Sequence, residues 1–157
     1  MKRRDFLEKW GLGKLKITLG FLEAEFLPSD PDRAAAWDLY VELLTRVTTQ
    51  ALDAESGDEQ AALASIHAIF PLTREMLRKH GSGAGEFAKI AIPVLNQIVR
   101  PFTSKWHRLS LAHAFTEPQQ CEEFRSELAE LQDLLVRYTR ALAAMADVED
   151  LTTLEAT

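Results

Sequence analysis

Between residues 89 and 107 the chain carries five polar side chains that together could hold an anion: Lys89, Asn96, Arg100, Thr103 and His107. On a continuous helix, at about 100° per residue, they project within an arc of roughly 60°, on the side away from Val94 and Ile98. The lysine and arginine bring fixed positive charge, and the arginine can grip a carboxylate or phosphate with two parallel N–H groups. The amide, hydroxyl and imidazole add further hydrogen-bonding groups on the same face. Lys105 and Arg108 extend the charge, and Trp106 supplies a ring for stacking or insertion. This segment is the candidate site for an anion, a nucleotide or an acidic partner. The simpler alternative is the polar outer face that any amphipathic helix requires, with Pro101 turning its second half out of register.

No other grouping reads as reactive chemistry. The histidines are His67, His80, His107 and His113, and none has a second His, a Cys or a carboxylate at a metal-binding spacing. His67 reads as a residue at the edge of the core, and His80, beside a glycine, as a helix terminator whose charge suits that end. Cys121 lies on an apolar stripe, where cysteine behaves as a small buried hydrophobe. Gly81-Ser82-Gly83-Ala84-Gly85 lacks the lysine and the hydroxyl residue that a phosphate-binding loop places after its glycines, so it reads as a link. Neither a nucleophile elbow nor a paired-carboxylate pattern is present. The sequence therefore implies no catalytic residue, no metal and no cofactor.

Composition sets the frame in which such a site would work. The 157 residues suit one domain, and 46% apolar with 27% charged residues is ordinary globular usage. A single cysteine excludes an internal disulfide and fits a reducing compartment, so the cytoplasm is expected. After Met1-Lys2-Arg3-Arg4, charged residues including Glu8 and Lys9 break any apolar run of signal-peptide length, and no stretch is apolar enough to cross a membrane. With 24 acidic against 18 basic residues the net charge is −6, which disfavours broad binding to nucleic acid.

The elements that would position the site are mainly helical. Cys121, Phe124, Leu128, Leu131, Leu135, Tyr138, Leu142 and Met145 recur at steps of three and four, a seam for packing lengthwise against other helices or against a second copy of the chain. A helix from about Pro31 to Leu52, started by Ser29-Asp30-Pro31-Asp32, would bury Trp37, Tyr40, Val41, Leu44, Val47, Thr48 and Ala51. Ser56 and Glu59 form a capping-box pattern for a helix to Lys79 that should kink or break after Phe70, ahead of Pro71. A further helix from near Ser82 is interrupted at Pro93 and Pro101, and Thr116 with Gln119 should cap the last one. Residues 6–27 fit both helix and strand; the alternation Lys14-Leu15-Lys16-Ile17-Thr18, with Gly11, Gly13 and Gly20, favours an extended segment. The predicted architecture is a four-helix-type bundle with a Pro-kinked helix and a short β-element before it. Residues 1–28 form the N-terminal segment, 29–146 the bundle and 147–157 an acidic tail that should fray.

The phrases Phe21-Leu22-Glu23-Ala24-Glu25-Phe26, Ala35-Ala36-Trp37-Asp38-Leu39-Tyr40-Val41-Glu42-Leu43-Leu44-Thr45-Arg46 and Asn96-Gln97-Ile98-Val99-Arg100-Pro101-Phe102-Thr103-Ser104-Lys105-Trp106-His107 resemble a family of small bacterial helical proteins with no established activity. The resemblance implies a bacterial, self-standing domain, hints at an antiviral-defence setting, and transfers no catalytic residue. The leading functional expectation is a non-enzymatic interaction or adaptor module with a protein partner or a homodimeric contact. The alternative is a sensor of a small anionic ligand or nucleotide that uses residues 96–108.

Overall fold

The computed structural model describes residues 14–20, 22–55 and 57–154. It is mainly helical, with one short antiparallel sheet. Strands β1 (Leu15–Thr18) and β2 (Glu23–Phe26) pair in the register Leu15↔Phe26 to Thr18↔Glu23. The alternation therefore does prevail over the helical pattern in 14–20 and 22–26: Ile17, Leu19 and Phe26 go inward, while Lys16 reaches Glu23 across the outer face at 2.8 Å. Gly20 turns the hairpin at φ +79°, a conformation that costs glycine nothing. The part of the ambiguous segment before residue 14 lies outside the described residues.

Helix α1 (Asp30–Leu44) begins as the sequence predicts, with Ser29 as cap, Pro31 in the first turn and a reciprocal box between Ser29 and Asp32. Asp32 does more than cap. Its buried carboxylate also accepts the Phe87 backbone N–H at 2.9 Å, which fixes the start of α1 against the start of a later helix. The helix stops at Leu44, well short of Leu52. The hydroxyls of Thr45, Thr48 and Thr49 donate to the carbonyls of Val41, Leu43 and Leu44, offering the backbone a competing set of bonds at the point where a helix would continue. The buried stripe also differs from the predicted one. Ala35, Ala36, Leu39, Tyr40 and Leu43 are interior, whereas Trp37 and Val41 are 44% and 41% exposed. The small alanines let other elements approach α1 closely on several sides, and they outweigh the larger residues in deciding which face is inside.

Helices α2 (Glu59–His67) and α3 (Ile69–His80) replace the single predicted helix. The break falls at Ala68, before Phe70, so that Pro71 occupies the first turn of α3, where a missing N–H leaves nothing unpaired. Asp58 caps α2, its carboxylate accepting from the Gln60 and Ala61 amides, while Ser56 lies outside the described residues. Gly81 ends α3 at φ +69°.

After the 3₁₀ turn Gly81–Ala84 comes α4 (Gly85–Pro93), then a π-helical turn (Val94–Val99), then α5 (Arg100–Leu111). The two prolines thus bracket a widened turn rather than a simple kink, and the Arg100 amide reaches back to the Leu95 carbonyl. The wider turn gives room to the Pro101 ring, which would press on the carbonyl four residues earlier in an α-helix.

Helix α6 (Pro118–Ala146) carries the seam, and Phe124, Leu128, Leu131, Leu135, Tyr138, Leu142 and Met145 are all buried against α1, α5 and the π turn. The chain covers these side chains itself, whereas Cys121, the first residue of the predicted seam, is only partly buried. Pro118 opens the helix behind Glu117, and Thr116 donates to the His113 carbonyl instead of capping. Arg125 and Gln132 of α6 hold the loop after α1 through the carbonyls of Asp53, Gly57, Val47 and Gln50. Where fraying is expected beyond Ala146, specific contacts occur: Asp147 turns the chain at φ +57°, the Leu151 amide donates to Tyr40 Oη at 2.7 Å, and Arg140 reaches Thr152 and Asp150. No helix of the described residues is long and apolar enough to cross a membrane.

Candidate anion-binding cleft

Helix α2 and the first turn of α3 lie beside α5, and between them is an open cleft of about 200 Å³ lined by His67, Phe70, Arg74, Arg100, Thr103, Ser104 and His107. Phe70, itself buried, forms its base. The Arg100 guanidinium carbon lies 4.8 Å from the centre of that ring and the Arg74 carbon 5.8 Å, so two cations rest on one aromatic platform. The centre of the His67 ring sits 5.8 Å from that of Phe70.

Asn96, one turn before Arg100, accepts from Arg100 Nε and Nη2 at 3.2 and 3.0 Å. That fixes one edge of the guanidinium and leaves the other fork, Nη1 with the second Nη2 hydrogen, open. Arg74 makes neither a hydrogen bond nor an ion pair among the described residues, and no carboxylate faces either guanidinium within ion-pair distance. In a chain of net charge −6, most other cations of the described residues are neutralised, among them Arg33 by Asp30, Arg46 by Glu42, Lys79 by Asp38 and Arg125 by Glu59, whereas Arg78, Arg108 and Arg137 have no ion pair there. Two guanidiniums that line one cleft without a carboxylate partner form a local field that favours an anion.

Of the predicted residues, Arg100, Thr103 and His107 line this cleft. Thr103 serves as wall: it is buried, and its hydroxyl is directed to the carbonyls of Val99 and Arg100. Asn96 acts behind Arg100. Lys89 does not belong to the cleft; it is exposed on α4 and paired with Glu86 at 2.6 Å. The π turn explains the separation, because accommodating one extra residue shifts the helix phase by about 100° between Lys89 and Arg100.

Lys105 and Trp106 also depart from the prediction. They face α6, on the other side of α5. Trp106 is fully buried, at 5.1 Å edge-to-face with Phe124 and 6.0 Å from Phe115, and its indole N–H donates to Glu127 Oε2 at 2.7 Å. Lys105 Nζ meets Glu127 at 2.7 Å and Glu123 at 3.3 Å, and its hydrogen bond to Glu127 is the chief reason its ammonium is held above the usual lysine range. These two residues join helices. Arg108, exposed on α5, does not line the cleft either.

His67, Phe70, Arg74 and Ser104 were not legible as site residues. In the sequence the first three do carry a signal, a spacing of three and then four, although the helix break at Ala68 falls between His67 and Phe70. His67, predicted at the edge of the core, is exposed and packs beside the buried Phe70 ring. His80, predicted as a terminator, also makes a cross-helix contact, its Nε2 lying 2.8 Å from Asp38 Oδ2. Among the described residues no group of three or more His, Cys, Asp or Glu side chains is arranged to hold a metal ion. Compared with protein families, curated proteins and solved structures, the chain matches none of them at a significant level.

Proposed function

We propose that this protein is a non-enzymatic recognition module that holds an anionic group in the cleft between α2–α3 and α5. The observation that carries the reading is the pair Arg74 and Arg100, stacked on Phe70, free of carboxylate partners and flanked by the imidazoles of His67 and His107. The Phe70 ring lies under both cations and Asn96 holds Arg100 through two hydrogen bonds, so Arg100 loses little side-chain freedom when an anion arrives. Among the described residues Ser104 makes no hydrogen bond to His67 or His107, so the cleft holds no hydroxyl engaged by a base, which favours binding over turnover. We read the scaffold as a four-helix-type bundle formed by α1, α3, the α4–α5 rod and α6. The lone cysteine and the bacterial resemblance favour a role in the bacterial cytoplasm, with defence as the setting the resemblance hints at.

The test is an amide chemical-shift titration with simple anions. Shifts should concentrate at residues 67–74 and 100–107. Arg100→Ala should fold with a stability change of about 1 kcal/mol or less, the cost of one cation–π contact, yet lose about 1.5–3 kcal/mol of anion affinity. Absence of localised shifts, or collapse of the fold in Arg100→Ala, refutes the reading.

A second reading, the adaptor, draws on Trp37 and Val41. They lie one turn apart on α1 and stay largely exposed, a small apolar surface for a protein partner or a second copy. Sedimentation across a wide range of protein concentration, with Trp37→Ser as control, decides whether that surface drives self-association.

A further inference from the structure

The donor geometry of the cleft points to a particular anion class, and this inference rests on the anion-binding reading. We propose that the cleft recognises a phosphate monoester, a dianion with three terminal oxygens, in preference to a carboxylate or a phosphodiester.

The first argument is charge. Arg74 and Arg100 together present two positive charges with no carboxylate among the described residues to offset them. A carboxylate or a diester brings one negative charge and leaves a cation over; a monoester carries about −1.5 to −2 near neutral pH and matches the pair. The second argument is the count of donors. Arg100 has one guanidinium edge committed to Asn96 Oδ1 and the other fork open, while Arg74 has all of its N–H groups available. Two forks approaching from α3 and α5 need more than the two oxygens of a carboxylate if each is to bind bidentately, and three terminal oxygens meet that need. His67, His107 and Ser104 stand at the rim with donors for the remaining lone pairs, since none of these side chains is hydrogen-bonded within the described residues. Thr103 adds no donor, because its hydroxyl is occupied by backbone carbonyls.

The third argument is shape. The cleft is open and about 200 Å³, with a buried ring as its base and no aromatic pair to clasp a nucleobase. It suits a phosphoryl group whose ester substituent points outward to solvent. The carrier can be a small phosphorylated metabolite or a phosphorylated side chain, and the recognised chemistry is the same.

Calorimetric titration of the full chain with methyl phosphate, dimethyl phosphate and acetate at slightly alkaline pH tests the assignment. Methyl phosphate should bind at least tenfold more tightly than either monoanion. Arg74→Gln and Arg100→Gln should each weaken it about tenfold or more, and Arg100→Lys should fail to restore it, because a point charge cannot replace the fork. Thermal melting of each variant confirms that it is folded. A phosphoserine pentapeptide binding more tightly than methyl phosphate assigns the carrier as a phosphorylated chain; equal affinity assigns a small molecule. Acetate within threefold of methyl phosphate overturns the monoester assignment and leaves the anion-binding reading standing. Failure of all three anions to bind overturns both. Loss of binding in Arg100→Gln but not in Arg74→Gln overturns the two-fork geometry on which the monoester assignment depends.

Discussion

If Lys105 and Trp106 join helices rather than bind a ligand, the residue to perturb is their shared partner, Glu127. Its Oε2 accepts the Trp106 indole N–H at 2.7 Å, and its carboxylate also meets Lys105 Nζ. The two bonds differ in environment. Trp106 is completely buried, so removing its acceptor leaves an orphaned N–H in the interior, worth about 1–3 kcal/mol. The Lys105 and Glu127 side chains are 41% and 34% exposed, and water screens that pair to about 1 kcal/mol at most. Glu127→Gln keeps an oxygen for the indole and loses only the ion pair, so it should cost about 0.5–1 kcal/mol. Glu127→Ala loses both and should cost about 1.5–4 kcal/mol. The difference between the variants isolates the indole bond. Urea unfolding, with the Trp106 indole proton followed by NMR, supplies both numbers. The pH dependence has a definite sign as well. A lysine whose folded pKa is raised stabilises fully below its ordinary value of 10.5, and the contribution disappears as pH rises through the folded value. The gap between wild type and Glu127→Gln should therefore persist above neutral pH and close as the pH rises into strong alkali. If Glu127→Ala unfolds within about 0.5 kcal/mol of wild type, or if it abolishes anion binding while leaving stability intact, the separation of the two faces of α5 is wrong.

Asp38 offers a second pH test. Partial burial would raise its carboxyl, but hydrogen bonds from His80 and Lys79, with their charges, override that and hold it below its ordinary value of 3.8. A lowered folded pKa gives stability that is present above the ordinary value and lost as pH falls through the folded one. Asp38→Asn should thus cost about 0.5–1 kcal/mol at neutral pH, and urea midpoints for wild type and variant should converge in acid; an undiminished gap there refutes the linkage. Cys121 is expected to be unreactive, because burial, followed by the nearby Glu59 charge, pushes its thiol up despite Arg125, and Sγ donates to the Phe115 carbonyl at 3.3 Å. Alkylation by iodoacetamide at neutral pH should run about tenfold or more slower in the folded chain than in urea, and equal rates would place the thiol in solvent.

The parts of the fold that could be read from residues alone are those in which one physical signal stood without a rival. The α6 seam repeats for seven turns, and no other arrangement of Phe124 to Met145 buries so many apolar side chains. The Ser29–Asp32 start and the Gly81 stop are local bonds and local torsions, so the sequence contains everything that decides them. Misreadings occur where a second signal competes. The threonines after Leu44 hold the backbone carbonyls and end α1 early, although the apolar pattern runs on to Ala51. Ala35 and Ala36 bury because neighbouring elements come close, a tertiary fact that outweighs the size of Trp37 and Val41.

The site shows the same division at finer grain. Arg100, Thr103 and His107 share the face predicted from a 100° step because α5 is an unbroken α-helix from Arg100 onward. Lys89 falls away because the step is no longer 100° across the π turn that Pro93 and Pro101 bracket. A helical wheel drawn through such a turn stays valid on either side of it but loses its phase in crossing. Trp106 misled for a different reason: a ring next to basic residues suits stacking on a ligand and suits a core equally well, and only the placement of Glu127 and Phe124 on α6 decides between them. Arg74 escaped notice because a binding fork needs two cations, and its counterpart lies 26 positions away on another helix, at a distance no periodicity can span. What brings the two together is the single buried ring of Phe70. The prolines at 71 and 101 start two helices whose first turns meet at that ring, so two of the chain's three apparent helix breakers lie where Arg74 and Arg100 come onto one platform.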